Sequence, residues 1–429
     1  MRAALRVLIV VAALAAAGYV VRSVLAEDQP IRVGVLHSLS GTMAISERSL
    51  VDSVQMAIAE INQAGGVLGR NIEPVVADGK SDPEVFAAEA ERLIRDEHVS
   101  VIFGCWTSGS RKTVKPVIEK YNHLLIYPLQ YEGLEDSPNI IYLGASPNQQ
   151  IIPALKWVIG TMGRRVFLVG SDYVFPRAAN AIIRDQLDKW HGQVVGEDYI
   201  VLGSRNVDKA VHDIVATHPD AILNTLNGDT NIAFFNALRA AGITSQRIPT
   251  MSFSIAEEEL ASLPRDAVAG DYAAWTYFES VDSPVNDAFV RAFKRRYGEQ
   301  RVTDDPIEAS YVAVKLWAQA VTAAGTDEVN AVRKTIVDRS IRGPGGMVFV
   351  DSDNRHAWKT VRIGKIRADG QFDIVWTSDR PVRPVPYPAE RSRDQWNAFL
   401  QDLYRQWGSR WYNPGPNAPD SGVRSAPYR

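Results

Sequence analysis

From residue 31 onward the chain alternates short runs rich in Val, Ile and Leu with stretches of helical periodicity, and that alternation limits the folds open to it. IRVGVLHS (31–38) reads as a buried strand, after which Leu50, Val54, Ile58 and Ile61 fall on one helical face before a stop at Gly65-Gly66. IEPVVADG (72–79) is a second strand. Asp82 and Pro83 suit an N-cap and a first helical turn, and Phe86, Ala90, Leu93 and Ile94 share one side of the helix they open. VSVIFGC (99–105), HLLIYPL (123–129), RVFLVGS (165–171) and DAILNTL (220–226) repeat the theme. Strands without polar alternation are buried on both faces, and strands separated by helices run parallel. The pattern predicts an α/β fold of doubly wound parallel sheets.

At 429 residues the chain exceeds what one core serves, since cores stop growing near about 250–300 residues, so two lobes are expected. Its 47 Lys+Arg against 50 Asp+Glu, with no long basic run, argue against a nucleic-acid binder, which needs a basic face for phosphates. One cysteine, Cys105, excludes an intramolecular disulfide and any Cys-based metal centre. The seven His show no i, i+4 pair and no HExxH, so no metal is expected.

The N-terminus reads as an export signal. Arg2 and Arg6 precede an apolar run, Val7 to Val21, that is shorter than the about 20 residues a spanning helix needs. Val24 and Ala26 then have the spacing of a cleavage site, giving a signal peptide over 1–26. Arg22, inside the cleavage region, keeps an uncleaved membrane anchor as the alternative; either way the rest of the chain lies outside the cytoplasm, periplasmic or extracytoplasmic.

In open parallel sheets ligands bind beyond the carboxyl ends of the strands. Those loops read HSLSGT (37–42), GCWTSGS (104–110), YPLQYEG (127–133), GSDYVFP (170–176), TLNGDTN (225–231) and SFSIAEEE (252–259), all rich in hydroxyl, amide and aromatic groups. None carries GxGxxG or GxxxxGK[ST], so dinucleotide and P-loop readings fail and no cofactor is expected. Glu257, Glu258 and Glu259 most simply open a helix, where carboxylates complement the positive dipole end.

VGVLHSLSGTMAISE (33–47) with AGGVLGR (64–70) resembles the opening of type I periplasmic solute-binding proteins. FGCWTSGSRK (103–112), YPLQYEG, GASPNQQ (144–150), GSDYVFPR (170–177), NTLNGD (224–229) and SIAEEE (254–259) resemble the branch that binds urea and short-chain amides, the substrate-binding component of a urea ABC importer. The resemblance runs from about residue 31 to 388. It implies two doubly wound parallel-sheet lobes joined by three crossovers, with the ligand between them and the permease subunits of an ABC importer as partners. Lobe 1 would take 31–146 and 279–346; lobe 2 would take 147–278 and 347–388. The crossovers would fall near GASPNQQ, AAWTYFES (273–280) and RGPGGM (342–347). The membrane would be met only through the importer or an uncleaved N-terminal anchor.

Urea and short amides are planar and uncharged, so they need donors around one oxygen, acceptors around the nitrogens, and flat apolar walls. Trp106 and Tyr127, each just past a strand end, are the candidate walls. Thr107 and Ser108, at the start of the next helix, can donate to the carbonyl. Gln130 joins them in the YPLQYEG loop; Tyr173 and Phe175 occupy the corresponding loop of the second lobe, where Asn227 and Asp229 offer acceptors. The resemblance places ligand contacts at the positions of Trp106, Ser108, Tyr127, Tyr173 and Phe175, and Trp106 and Phe175 stand where an amide-sensing relative has tyrosine. Glu132 and Asp172 read as helix-capping or loop-ordering carboxylates. No motif supplies a base for Cys105, nor a nucleophile and oxyanion loop elsewhere, so an enzyme is not expected.

These features predict an extracytoplasmic protein that captures urea or a short-chain amide and delivers it to an ABC importer. The alternative is a sensor that reports amide, urea or a branched-chain amino acid to a membrane partner. A zwitterion would need a hydroxyl pair for its carboxylate and an acid for its ammonium, an arrangement the bulky YPLQY segment would crowd.

Beyond RPVRPVPYP (380–388), an extended proline-spaced linker, residues 389–429 read as a C-terminal helix and tail. Trp396, Leu400, Leu403 and Trp407 recur at helical spacing, which fits a helix packed on the protein's own surface or, alternatively, a partner or membrane contact; a disordered polar tail comes last. The N-terminal reading is checked by sequencing protein from the native envelope. Glu27 is expected as the first residue, and intact Met1 in the membrane fraction contradicts it.

Overall fold

The computed structural model describes residues 29–415; the predicted signal peptide and the polar tail from 416 onward lie outside them. Among the described residues no helix is long and apolar enough to cross a membrane.

In the first lobe, β1 (Ile31–His37), β2 (Ile72–Asp78), β3 (Ile102–Gly104), β4 (Leu125–Tyr127) and β5 (Ile140–Tyr142) form one sheet in the order β2-β1-β3-β4-β5, parallel throughout. β3, β4 and β5 are wholly buried, which is why they read as unbroken apolar runs. The helix Pro83–Arg95 begins as expected, with the Asp82 carboxylate accepting from the Glu84 amide and Pro83 in the first turn. The second lobe is built on β6 (Arg165–Ser171), β7 (Gln193–Ile200), β8 (Ala221–Thr225), β9 (Thr250–Ser252) and β10 (Tyr272–Trp275), again parallel. In each sheet the winding reverses once, between β1 and β3 and between β6 and β8. The loops that leave those strands open the two crevices that can face a ligand.

The later strands correct the expected boundary. β11 (Ser340–Gly343), β12 (Gly346–Val350) and β13 (Ala357–Trp358) make a separate antiparallel sheet. Its Val348, Val350 and Ala357 pack in one core with Val33, Val35 and Trp317 of the first lobe. RGPGGM is therefore the turn of a hairpin, with Gly343 opposite Gly346 and Gly346 at φ 120°, and not a crossover at 346/347. The chain returns to the second lobe only between Trp358 and Arg362, where β14 (Arg362–Ile366) and β15 (Phe372–Thr377) extend that sheet in the antiparallel sense. The second sheet is thus mixed, in the order β15-β14-β10-β9-β8-β6-β7.

The helix Arg393–Gln406, capped by Ser392, lays its apolar stripe on the second lobe. Trp396, Leu400, Leu403 and Trp407 are buried in the same core as Ile151, Val174 and Ile183, and the Trp396 indole donates to the Pro388 carbonyl at 3.0 Å. The stripe is covered by the protein's own surface, so it is not available to a partner or a membrane. Removing a fully buried indole at such a site costs about 3–5 kcal/mol, so Trp396→Ala should lower the thermal midpoint by several degrees; an unchanged melt would mean that the helix is not part of the second-lobe core.

Candidate functional site

β3 ends against β1 more closely than a side chain allows, because a Cβ on Gly104 would stand 2.3 Å from the Leu36 carbonyl oxygen. Cys105 turns the chain through a left-handed conformation at φ 67° and is fully buried, where desolvation pushes its thiol far above the usual range. Thr107 caps the helix Ser108–Lys120, its hydroxyl accepting from the Ser110 amide at 3.0 Å. Both hydroxyls expected to donate to a ligand carbonyl are engaged within the protein. Thr107 Oγ1 also meets Ser110 Oγ at 2.9 Å, and Ser108 Oγ donates to Glu132 Oε2 at 2.5 Å.

The first turn of that helix carries a buried ionic cluster absent from the sequence-based expectations. Arg111, 0% exposed, donates to Glu135 at 2.9 Å, to Ser108 Oγ at 3.0 Å and to Glu132 at 3.2 Å. Its guanidinium lies 4.7 Å from the Tyr127 ring centroid and 4.4 Å from that of Tyr131. Lys112 Nζ donates to Glu135 Oε2 at 2.9 Å and Tyr142 donates to Oε1 at 3.0 Å. Burial opposes the Glu135 charge, but Arg111 and Lys112 outweigh it and hold the carboxyl well below the usual carboxylate range. Beneath the cluster Tyr131, Tyr142 and His356 stack, the last two at 4.2 Å and 6°. Burial pushes His356 down to about 4, so the ring is neutral at pH 7; Nδ1 donates to the Asn354 carbonyl and Nε2 accepts from Tyr131.

Two cations and two carboxylates sum to zero. Glu132 orders the loop, as expected, and so does Asp172, which accepts from Arg177 at 2.7 Å. Tyr127 is fully buried, its hydroxyl donating to the Trp106 carbonyl at 2.6 Å, so the ring expected as a wall is held in place.

Across the crevice Tyr173 precedes the helix Val174–Trp190 and is buried. Burial, then the neighbouring Tyr127 and Glu132 of the first lobe, raise its phenol well above 10. The Asn227 amide donates to Ser171 Oγ at 3.0 Å and its side chain to the Thr225 carbonyl at 3.1 Å, which sets it beside Tyr173. Phe175 turns into the second-lobe core, with its ring centroid 6.3 Å from that of Tyr173. Asp229 accepts from the Thr42 hydroxyl, an interlobe bond distinct from the Tyr173 and Gln130 groups. Gln130 reaches over to the second lobe, where Nε2 donates to the Phe253 carbonyl at 3.0 Å. Gln150, at the first crossover, donates to that same carbonyl at 3.1 Å and to Ala274 O at 2.7 Å. The Oε1 atoms of Gln130 and Gln150 are buried without a hydrogen-bond partner.

The structure therefore gathers Ser108 and Tyr127 around Arg111, with the Trp106 carbonyl bonded to the Tyr127 hydroxyl, sets Tyr173 and Asn227 opposite, and bridges the lobes with Gln130. Phe175, the Thr107 hydroxyl and the Asp229 carboxylate are engaged elsewhere. Sequence reasoning missed Arg111, Lys112, Glu135 and Gln150. The available signal was the SRK and YEGLE pairing of two cations with two carboxylates in adjacent strand-end loops.

The profile of a family described as periplasmic binding protein domain matches residues 31–393. Leu/Ile/Val-binding protein homolog 7 of Brucella melitensis is 22% identical over 377 residues, covering 83% of this chain and 94% of that protein. Limonene hydroxylase of Geobacillus stearothermophilus is 32% identical over 118 residues, but that match covers 28% of this chain and only 22% of the other. Among solved structures, a solute-binding protein of an ABC transporter from R. palustris in complex with 4-hydroxybenzoate superposes with a TM-score of 0.76 at 22% identity, over 83% of this chain and 98% of that one. None of these three names carries urea or an amide.

The ionic cluster makes a pH prediction. Glu135 is depressed in the folded state, so its contribution is present above the ordinary value of 4.5 and is lost as pH falls below it, because the unfolded chain then takes up a proton that the folded chain refuses. Glu135→Gln should lower stability at pH 7 by about 3–5 kcal/mol and flatten the loss below pH 4.5 by up to about 1.4 kcal/mol per pH unit, measured by denaturant unfolding at each pH. Parallel pH profiles for wild type and variant would contradict the assignment.

Proposed function

The chain belongs to the periplasmic binding protein family, and from that premise we propose that it captures a small uncharged amide, urea or a short-chain carboxamide, between its lobes outside the cytoplasm and delivers it to an ABC importer. The observation that carries this reading is the pair of unpartnered carboxamide oxygens on Gln130 and Gln150. Each side chain is fixed in orientation, because its Nε2 donates to a backbone carbonyl and the reverse flip would set oxygen against oxygen. A buried acceptor left unmet costs about 1–3 kcal/mol, so the site calls for N–H donors. Urea and primary amides bring such donors on a flat, neutral frame.

Charge supports the same class. Arg111 and Lys112 are already matched by Glu132 and Glu135, so neither of these two cations is spare for a carboxylate entering between the lobes. The relatives are named for branched-chain amino acids or hold 4-hydroxybenzoate, and both ligands carry a carboxylate. Those two classes are the rivals the experiment must separate.

Urea has four heavy atoms, so the ceiling of about −1.5 kcal/mol per atom limits it to about −6 kcal/mol, a Kd in the tens of micromolar. Calorimetry with urea, formamide, acetamide, leucine and 4-hydroxybenzoate tests the reading. Urea or a short amide should bind, and Gln150→Leu should weaken that binding at least tenfold while the fold is retained. Heat from leucine or 4-hydroxybenzoate alone would overturn the ligand class, and full amide affinity in Gln130→Leu and Gln150→Leu would overturn the site.

A further inference from the structure

The family match ends at residue 393, yet the chain beyond it returns to the cleft. After the helix Arg393–Gln406 the backbone runs along the loop that leaves β6. The Val174 amide donates to the Trp411 carbonyl at 3.0 Å, the Asn413 amide donates to the Asp172 carbonyl at 2.9 Å, and Tyr412 pairs with Tyr173 in the antiparallel sense. The Asn413 side chain adds a 2.6 Å bond to Asp172 Oδ2, and the Trp411 ring lies 4.6 Å from that of Tyr404 on the helix. Residues 411–413 are thus held to the second lobe by an isolated β-bridge and a side-chain hydrogen bond together.

The same segment also meets the first lobe. Lys112 Nζ stands 5.0 Å from the centroid of the Trp411 ring, so the buried ionic cluster touches the segment directly. A cavity of about 180 Å³ at the mouth of the cleft is bounded by Asp82 and Thr107 of the first lobe, Tyr173 and Leu202 of the second, and Tyr412 of the segment. The attachments are unequal. Among the described residues, three hydrogen bonds tie the segment to the second lobe, whereas a cation–π contact and packing tie it to the first, so the segment is expected to travel with the second lobe when the cleft opens.

We propose that Trp411–Pro414 is a latch, carried by the second lobe, that docks on the first lobe only in the shut conformation and so raises the population of closed protein before a solute arrives. The latch rests on the proposal that the two lobes close around a ligand. A ligand that binds the closed form gains apparent affinity in proportion to how much of that form is already present. A partly desolvated cation–π contact of about 1 kcal/mol corresponds to about a fivefold shift.

The test uses the full-length chain with Trp411→Ala, which removes the docking ring, and Asn413→Asp, which sets a second carboxylate against Asp172 and frees the segment. Small-angle scattering without ligand should show a larger radius of gyration for both. Hydrogen exchange should quicken about fivefold around residues 107–113 in both variants, and around 172–175 chiefly in Asn413→Asp. Thermal midpoints should stay near wild type, in contrast to Trp396→Ala; if Trp411→Ala melts early, Asn413→Asp decides. With urea as the probe, affinity should fall about fivefold. Unchanged scattering and exchange in both variants, or wild-type urea affinity in both, would overturn the latch. No urea heat in wild type together with the expected scattering change would sink the amide reading and leave the latch standing.

Discussion

A fully buried guanidinium organises the first lobe's side of the cleft. Arg111 cannot leave water without replacing every hydrogen bond it gives up, and it does so only by drawing together two loops that are remote in sequence. The helix that follows β3 supplies the arginine and Ser108 from its first turn; the loop after β4 supplies Glu132 and Glu135; Tyr127 and Tyr131 close over the cation. Removal of either carboxylate leaves a buried charge unmatched, so these strand-end loops are positioned by electrostatics as much as by packing. The Trp106 carbonyl and the Tyr127 ring take their places within that arrangement.

A second buried ionic set ties the passages between lobes. From the first turn of the helix Asp305–Ala324, Asp305 accepts from the Thr276 amide at 2.9 Å and Glu308 from the Gly345 amide at 3.1 Å. Arg362 donates to the Thr276 carbonyl and, at 2.9 Å, to that of Gly345, while Lys359 lies 3.4 Å from Glu308. Gln149 and Gln150 connect the first passage to Ala357 and Ala274. Three strands of chain that must bend together are cross-bonded, which favours a rigid rotation over independent flexing.

The fold was legible in the sequence wherever burial or capping leaves a local mark. β1, β6 and β8 read as strands because both faces are covered, and Asp82-Pro83 marked a helix start that is present. RGPGGM was ambiguous, because glycine and proline serve a hairpin turn and a crossover equally, and only the packing of Val348 and Val350 on the first-lobe core decides between them. The ionic cluster joins residues 21 to 24 positions apart, and Thr42 meets Asp229 across 187 positions. No periodicity reports such pairings. Aromatic type at a strand end was an incomplete guide: Tyr127 and Tyr173 face each other's loops, whereas Phe175, two residues on, points into the second-lobe core.

Gln130 has a consequence for selectivity. One end of its carboxamide donates to the Phe253 carbonyl of the opposite lobe, and the oxygen at the other end is buried without a hydrogen-bond partner. Under the proposed function the group would be a coincidence detector, because its two bonds would be made together only with the lobes shut and an N–H donor inside. On that reading a molecule of the right size that lacks an N–H would be rejected by the same atom set that rewards closure. Discrimination and grip would then be a single event.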